Sequence, residues 1–510
     1  MNRRSFLKGC FAVGAACSLA GCSGEFYSKN NPKKPNIVVF LVDDMGLMDT
    51  SVPMLADENG NPQCHPLNDW YRTPNMERLA EQGVRFSNFY AHTVCSPTRV
   101  SIMTGQNSAR HRTTNWINLH VNNGGKNGPP KWNWEGITKE DVTLPRLLQK
   151  EGYRTIHIGK AHFGPLDYEG EEPLNLGFDA NIAGSAIGHP GSYYGKANYG
   201  ANTDRPVPHL KDYWGTDTFL TEALTLEAKK RIDTAIAAKR PFFLHMSHYA
   251  VHAPFHSDPR FAANYANSGK GARAQAFATL IEGMDKSLGD LMDHLEAKGV
   301  ADNTLIFFLG DNGSDAPLGG YNDIGSSAPL RGRKGSKWEG GIRVPFIAAW
   351  AKSNPKNKWQ KKMPIAAGRL RSEVGACYDL FPTIADLVNA PVPADYPVDG
   401  QILTKLLVGQ SDPEHRDEFL SHYPHPRKKE NNYFSSYRRG KWKVRYEYLN
   451  DSSRYGLFDV ENDPSESTNL ASENPEKLKA MMQAMVQELQ SQNAQYPVDG
   501  QGKEVKPVIP

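Results

Sequence analysis

Four short apolar runs, at residues 37–42, 155–158, 242–246 and 305–309, constrain this chain most. Each reads as a buried strand. Helical patterns fall between them. Thr73 and Pro74 open a helix through Met76 and Leu79 that stops at Gly83. Residues 143–152, 219–238 and 272–299 read as further helices. The last carries Phe277, Leu280, Ile281, Met284, Leu288, Leu291 and Leu295 at apolar positions. The alternation predicts an α/β main domain over 36–410, with a large, mostly parallel central sheet flanked by helices. After about residue 410 the texture changes. Residues 441–448 alternate like an exposed strand, 456–460 form a second short one, and 476–489 an amphipathic helix. A smaller C-terminal α+β subdomain is therefore expected over 411–510. Residues 165–208 are rich in Gly, Asn, Tyr and Pro and are expected to form long loops.

Each of the four runs leads directly into polar residues. The first ends in Asp43-Asp44, the second in Gly159-Lys160-Ala161-His162. The third ends in His248-Tyr249-Ala250-Val251-His252-Ala253-Pro254, the fourth in Asp311-Asn312-Gly313. In an open α/β sheet the binding crevice lies beyond the carboxyl ends of the strands, so these groups should converge. Asp43, Asp44, Asp311 and Asn312 are hard oxygen ligands, suited to Ca²⁺ or Mg²⁺ rather than Zn²⁺. Asp and Asn also follow strands as turn formers. A doublet matched by an Asp-Asn-Gly on a second strand is harder to explain that way.

The N-terminus reads as a targeting segment. Residues 2–8 contain Arg3, Arg4 and Lys8 in a twin-arginine pattern. Residues 9–20 are a short apolar stretch, too short to span a membrane as a mature helix. Leu19-Ala20-Gly21-Cys22 is similar to a bacterial lipoprotein cleavage box. On that reading residues 1–21 are a signal peptide, Cys22 carries lipid, and 22–35 is a tether. The formal net charge is +3, and the signal peptide holds three basic residues and no acid. The mature chain is near neutral, which argues against a nucleic-acid partner. Of six cysteines, Cys10 and Cys17 leave with the signal and Cys22 is lipidated. Cys64, Cys95 and Cys377 remain, too few for a disulfide framework.

Cys95-Ser96-Pro97-Thr98-Arg99 precedes a helical stretch at 100–104 closed by Gly105. Cys95 would sit at a helix N-terminus, where free N–H groups and the dipole favour an anion. Arg99, one turn on, can point to the same place. An isolated cysteine is also commonly a buried structural residue.

Cys95-Ser96-Pro97-Thr98-Arg99 matches the Cys-x-Pro-x-Arg signature of the type I sulfatases, within the alkaline phosphatase superfamily. Gly159-Lys160-Ala161-His162 resembles that family's second motif. Leu330-Arg331-Gly332-Arg333-Lys334-Gly335 with Trp338-Glu339-Gly340-Gly341 and Arg343-Val344-Pro345 resembles another. Asp459 to Pro464 and Thr468-Asn469-Leu470 resemble its C-terminal segment. The resemblance implies an alkaline phosphatase-like fold and a formylglycine nucleophile made from Cys95 by a cytoplasmic maturing enzyme. It implies Ca²⁺ held by Asp43, Asp44, Asp311, Asn312 and modified Cys95. Arg99, Lys160 and Lys334 would hold the sulfate and the nucleophile. His252 would be the general acid and His162 the base. His189 and His425 are candidates for substrate contact, as is His422, whereas His245 and His248 read as structural. Lys337 falls where the family pattern is not basic and reads as a solvated charge. The expected substrate is a sulfated carbohydrate, and the expected location is the bacterial cell envelope, with the membrane reached through the lipid anchor. Two alternatives stand beside this reading: a phosphonate monoester or phosphodiester hydrolase of the same superfamily, and a non-catalytic glycan-binding lipoprotein.

Overall fold

Strand β1 (Asn36–Val42) is apolar at nearly every position because both of its faces are covered. Val38, Phe40 and Val42 enter one core, and Ile37, Val39 and Leu41 the opposite one. A continuous apolar run is the signature of such a two-sided strand. The computed structural model describes residues 34–427 and 433–510. Residues 1–33, which include the expected signal peptide at 1–21 and most of the expected tether, lie outside the described residues.

The main sheet adds β2 (Gly83–Tyr90), β3 (Arg154–Gly159), β4 (Ala180–Ile182), β5 (Phe242–His248), β6 (Thr304–Gly310), β7 (Phe346–Trp350) and β8 (Leu370–Ala376). Their spatial order is β8-β2-β7-β6-β1-β5-β3-β4. Only β7 runs against its neighbours, pairing antiparallel with β2 and β6. The sheet is therefore mixed and mostly parallel. Helices α1 (Pro74–Gln82), α2 (Cys95–Thr104), α3 (Leu144–Lys150), α4 (Leu220–Ala237), α5 (Ala272–Ala297) and α6 (Leu380–Val388) cover it. α1, α4 and α5 pack on the face of Phe40, and α2, α3 and α6 on the face of Val39.

A second sheet is antiparallel, with order β9 (Glu418–Tyr423), β10 (Phe434–Arg439), β11 (Trp442–Glu447) and β12 (Tyr455–Asp459). Leu420, Tyr437, Val444 and Leu457 pack on Leu478, Met481, Met482, Met485 and Leu489 of α7 (Pro475–Ser491).

The structure corrects two local expectations. β11, expected to be exposed, is buried at five of its six positions. Its apolar face lies on α7, while its charged face, Lys443, Arg445 and Glu447, is covered and ion-paired. The segment 165–208 is not only loop. It includes β4 and buries Tyr193 and Tyr199.

Candidate active site

Strand register brings the polar residues to one level. Val42 lies opposite His248 on one side and Gly310 on the other. Gly159 lies opposite Ser247. Asp43-Asp44, Asp311-Asn312 and Lys160 follow immediately. Gly159 has φ +99°, and a Cβ there would fall 1.8 Å from the Ser247 carbonyl oxygen, so only glycine fits. The Asp43 and Asp311 backbones continue the ladder, with Asp43 N–H donating to Ala250 and Asp311 N–H to Val42.

The three carboxylates are fully buried, and one oxygen from each lies within 4.8 Å of the others. Lys160 Nζ donates to Asp43 Oδ2 at 2.7 Å, and Lys334 Nζ to Asp44 Oδ2 at 2.7 Å. Arg99 is fully buried beneath them. Its Nε and Nη2 donate to Asp311 Oδ2 at 3.0 and 2.8 Å. Its Nη1 donates to the Lys160 carbonyl and to Ser247 Oγ. Burial pushes Asp43 upward although Lys160 opposes it. Burial and the charge of Asp43 lift Asp311 to about 6. Burial also penalises the Asp44 anion, but His252, Lys334 and Lys160 together hold its carboxyl below the ordinary range.

These residues fit a hard divalent cation. Asn312 Nδ2 donates to Asp44 Oδ1 at 3.0 Å, which leaves its own Oδ1 facing away from that bond. Asn312 Oδ1 and Asp43 Oδ1 are both buried with no hydrogen-bond partner among the described residues. Asp43 Oδ1 has the Arg99 guanidinium at 3.7 Å. Buried oxygens that accept no hydrogen bond are costly, and a cation is the partner an all-oxygen donor set would take.

Cys95 is the first residue of α2, and Val94 supplies no side-chain cap. Cys95 Sγ lies 3.3 Å from His162 Nδ1. His162 Nε2 is 2.7 Å from the Ile117 carbonyl oxygen. A carbonyl only accepts, so Nε2 carries the proton and Nδ1 turns a lone pair toward residue 95. Burial, reinforced by Lys160, keeps His162 neutral. Burial also raises the Cys95 thiol, although Lys160 and Lys334 pull it down. An unmodified Cys95 is thus a thiol, the poorer nucleophile. His252 Nε2 is 3.5 Å from Asp44 Oδ2, and its Nδ1 donates to the Ala253 carbonyl at 2.7 Å.

Ten of the thirteen candidate site residues read from the sequence therefore meet in one cluster. His189 flanks it, stacked on His252 with ring centroids 5.4 Å apart. His425 does not present itself to it. Its ring is fully buried, with nitrogens bonded to Thr114 Oγ1 and the Gly124 carbonyl. His422 is held between Ser435 and Gln495. His245 and His248 are buried in the core. Lys337 is not a solvated charge: its side chain is 15 % exposed and pairs with buried Glu447 at 2.8 Å. Cys64 and Cys377 are both free thiols. Sequence reasoning passed over Ser247 and Ile117. Ser247 had a signal, a hydroxyl at the carboxyl end of an apolar strand. Ile117 acts through its backbone and had none.

Oxygen ligands for a divalent cation, three basic side chains and a nucleophile position at a helix N-terminus suit transfer of a tetrahedral anionic group. The sulfatase family model matches residues 35–390, and that of the N-sulphoglucosamine sulphohydrolase C-terminal region matches 334–495. N-acetylgalactosamine-6-sulfatase of Mus musculus is 32% identical over 397 residues, covering 74% of this chain and 67% of its own. A sulfatase of Formosa agariphila is 26% identical over 513 residues, covering 88% and 86%. The crystal structure of Ps i-CgsB in complex with k-i-k-neocarrahexaose superposes with a TM-score of 0.70 at 25% identity, covering 92% of this chain and 96% of that one. The chain belongs to the sulfatase family and is a sulfuric ester hydrolase.

Proposed function

We propose that this protein removes sulfate from sulfated glycans, using a formylglycine made from Cys95 and a bound Ca²⁺, with Mg²⁺ as second choice. The observation that carries the reading is Cys95 facing the His162 lone pair beside a carboxylate and amide cluster in which Asp43 Oδ1 and Asn312 Oδ1 accept no hydrogen bond among the described residues. The names of its relatives, N-acetylgalactosamine-6-sulfatase among them, support a sugar sulfate as substrate.

Asp43, Asp44, Asp311, Asn312 and modified Cys95 would hold the metal, which would polarise the sulfate oxygens and offset charge in the transition state. The modified side chain is an aldehyde, and its hydrate would supply a hydroxyl in place of a thiol. His162 Nδ1 is oriented to take a proton from residue 95, since Ile117 fixes the tautomer. Lys160 and Lys334 serve both the carboxylates and the sulfate. Arg99 is committed to Asp311, Ser247 and the Lys160 backbone, so it holds the ligand set in register. Three carboxylates are balanced by Arg99, Lys160 and Lys334. With a divalent cation held there the site would be net positive and would attract an anionic ester. His252, beside Asp44, would be the general acid for the leaving alcohol; its Nδ1 already donates to the Ala253 carbonyl and burial holds the ring's pKa at about 3, so Nε2 carries a proton only when the ring is charged.

We further propose that a cytoplasmic maturing enzyme acts on Cys95 before export, and that lipid on Cys22 anchors the protein in the bacterial envelope. Peptide mass spectrometry should show formylglycine at position 95 when a maturation system is present, and metabolic fatty-acid labelling should mark the protein through Cys22. The purified protein should turn over aryl sulfates and defined sulfated sugars in preference to aryl phosphate diesters. Full turnover by Cys95→Ala would sink the mechanism, and an unlabelled mature protein would refute the anchor.

A further inference from the structure

An open groove of about 460 Å³ is walled by residues 111–112 and 130–135, with Asn122 on a further side. None of these residues belongs to the Cys95 cluster. The walls are tied together. The Asn133 N–H donates to the Arg112 carbonyl at 2.9 Å, and Trp132 Nε1 donates to Asn122 Oδ1 at 2.8 Å. His111 Nε2 stands 3.0 Å from Ser101 Oγ on α2, the helix that begins at Cys95. The segment that carries Asn122 also serves the active site. Asn123 Nδ2 donates to the Trp116 carbonyl at 2.9 Å, and the following carbonyl, that of Ile117, accepts from His162. Groove and nucleophile are therefore built on one framework.

The groove offers what the cluster does not, cations without acids. Arg112 is half-buried and Lys131 is exposed, and neither side chain is ion-paired among the described residues. By contrast Arg99, Lys160 and Lys334 are each paired with a carboxylate. Glu135 is the single acid that lines the groove, and it is exposed. Trp134 is half-buried and meets the Tyr168 ring edge to face, with centroids 5.2 Å apart. Guanidinium and ammonium groups take sulfate oxygens, and an indole face packs on apolar C–H surface. A sulfated sugar carries both. The volume lies in the range of small-ligand sites, roughly 300–1,000 Å³.

We propose that this groove binds a sulfated stretch of polysaccharide apart from the sulfate being removed. Arg112 and Lys131 pair with sulfate oxygens, and Trp134 packs against a sugar ring. The inference rests on the glycan reading of the substrate and adds a second contact with the same polymer. Such a contact raises the effective concentration of chain at the active site.

Affinity electrophoresis of the full-length protein in dextran sulfate, with unsulfated dextran as control, reads this without turnover. Arg112→Gln combined with Lys131→Gln is expected to weaken dextran sulfate binding about tenfold. Lys131→Glu changes only an exposed side chain, so the fold is kept, and it should weaken binding in the same direction. Trp134→Ala should weaken binding as well, and Trp134→Tyr should recover part of the loss. Turnover of nitrophenyl sulfate, which has no second sulfate or sugar, should stay within about twofold of wild type in every variant. Unchanged dextran sulfate binding in both charge variants would overturn the proposal. So would equal binding of unsulfated dextran, or a matching loss of nitrophenyl sulfate turnover, which would place the effect in the active site. A single-stranded oligonucleotide bound as tightly as dextran sulfate, and lost in the same variants, would overturn the sugar assignment in favour of a general polyanion groove. A wild-type protein that turns over nitrophenyl sulfate but no sulfated sugar would count against the glycan reading alone, because the binding comparison does not depend on turnover.

Discussion

Lys334 and Lys337 lie three residues apart and meet different acids. Lys334 Nζ is 2.6 Å from Asp44 Oδ1, in the carboxylate cluster. Lys337 Nζ is 2.8 Å from Glu447 at the end of β11. Loss of one preorganised donor to a transferring group costs ~3–4 kcal/mol. Lys334→Ala is therefore expected to lower kcat by about a hundredfold or more. Lys337→Ala removes a partner from a buried carboxylate that retains Arg445 at 3.1 Å. It should lower unfolding stability by about 1–3 kcal/mol and leave kcat nearly intact. Steady-state kinetics with thermal unfolding on both variants separates the two roles. A large kcat loss in Lys337→Ala with a mild one in Lys334→Ala would reverse the assignment.

At the scale of elements, the second sheet is bolted to the segment that carries Lys334. Glu339, five residues on, accepts from the Tyr90 hydroxyl of β2 at 2.6 Å and from Lys443 of β11 at 3.0 Å. Arg343 and Arg438 stand 3.6 and 3.9 Å away. Burial penalises the Glu339 anion, but Lys443, Arg343 and Arg438 outweigh it and hold the carboxyl at about 2, below its ordinary 4.5. A depressed carboxylate stabilises the fold fully above its unfolded value and loses that contribution as pH falls through the folded one. Glu339→Gln should destabilise the protein by about 3 kcal/mol near neutral pH. The difference in melting temperature between wild type and variant should shrink from pH 4.5 down toward 2. A difference that stays constant across that window would contradict the ionised state assigned to Glu339.

The same contacts explain which elements could be read in advance. β1, β3, β5 and β6 are apolar runs, and their boundaries were legible to within about two residues, as were α4 and α5. β2 was not, because Arg85, Ser87 and Asn88 interrupt its apolar residues. Those polar groups are buried only because distant partners satisfy them: Arg85 reaches Pro53, and Asn88 reaches Ser372 and Arg438. β11 looked exposed for the same reason, since its charges find partners on a segment a hundred residues away.

For the whole molecule, the metal is the decisive test. A cation bound by the residues that follow β1 and β6 would stabilise the folded state by about 2.7 kcal/mol at a hundredfold excess over Kd. Chelation should lower the melting temperature and abolish turnover, and Ca²⁺ should restore both. Asp311→Asn removes one charge from the ligand set and should make the melting temperature insensitive to chelator. Elemental analysis showing stoichiometric zinc without calcium or magnesium would contradict the hard-oxygen assignment.

What the sequence determined by itself is local: the two-sided strands, the polar residues immediately beyond them, and a cysteine at the start of a helix closed by Gly105. Apolar runs and turn residues act over a few positions, so chain order alone reveals them. Only the tertiary structure decided which charges meet. Lys334 finds Asp44 across 290 residues, Arg99 finds Asp311 across 212, and Lys337 finds Glu447 only because the second sheet docks beside its segment. Such pairs follow from the register of β1 against β5 and β6 and from how separate segments pack. A lysine spelled the same way at 334 and 337 therefore joins the buried carboxylate cluster in one place and pairs with the second sheet's Glu447 in the other.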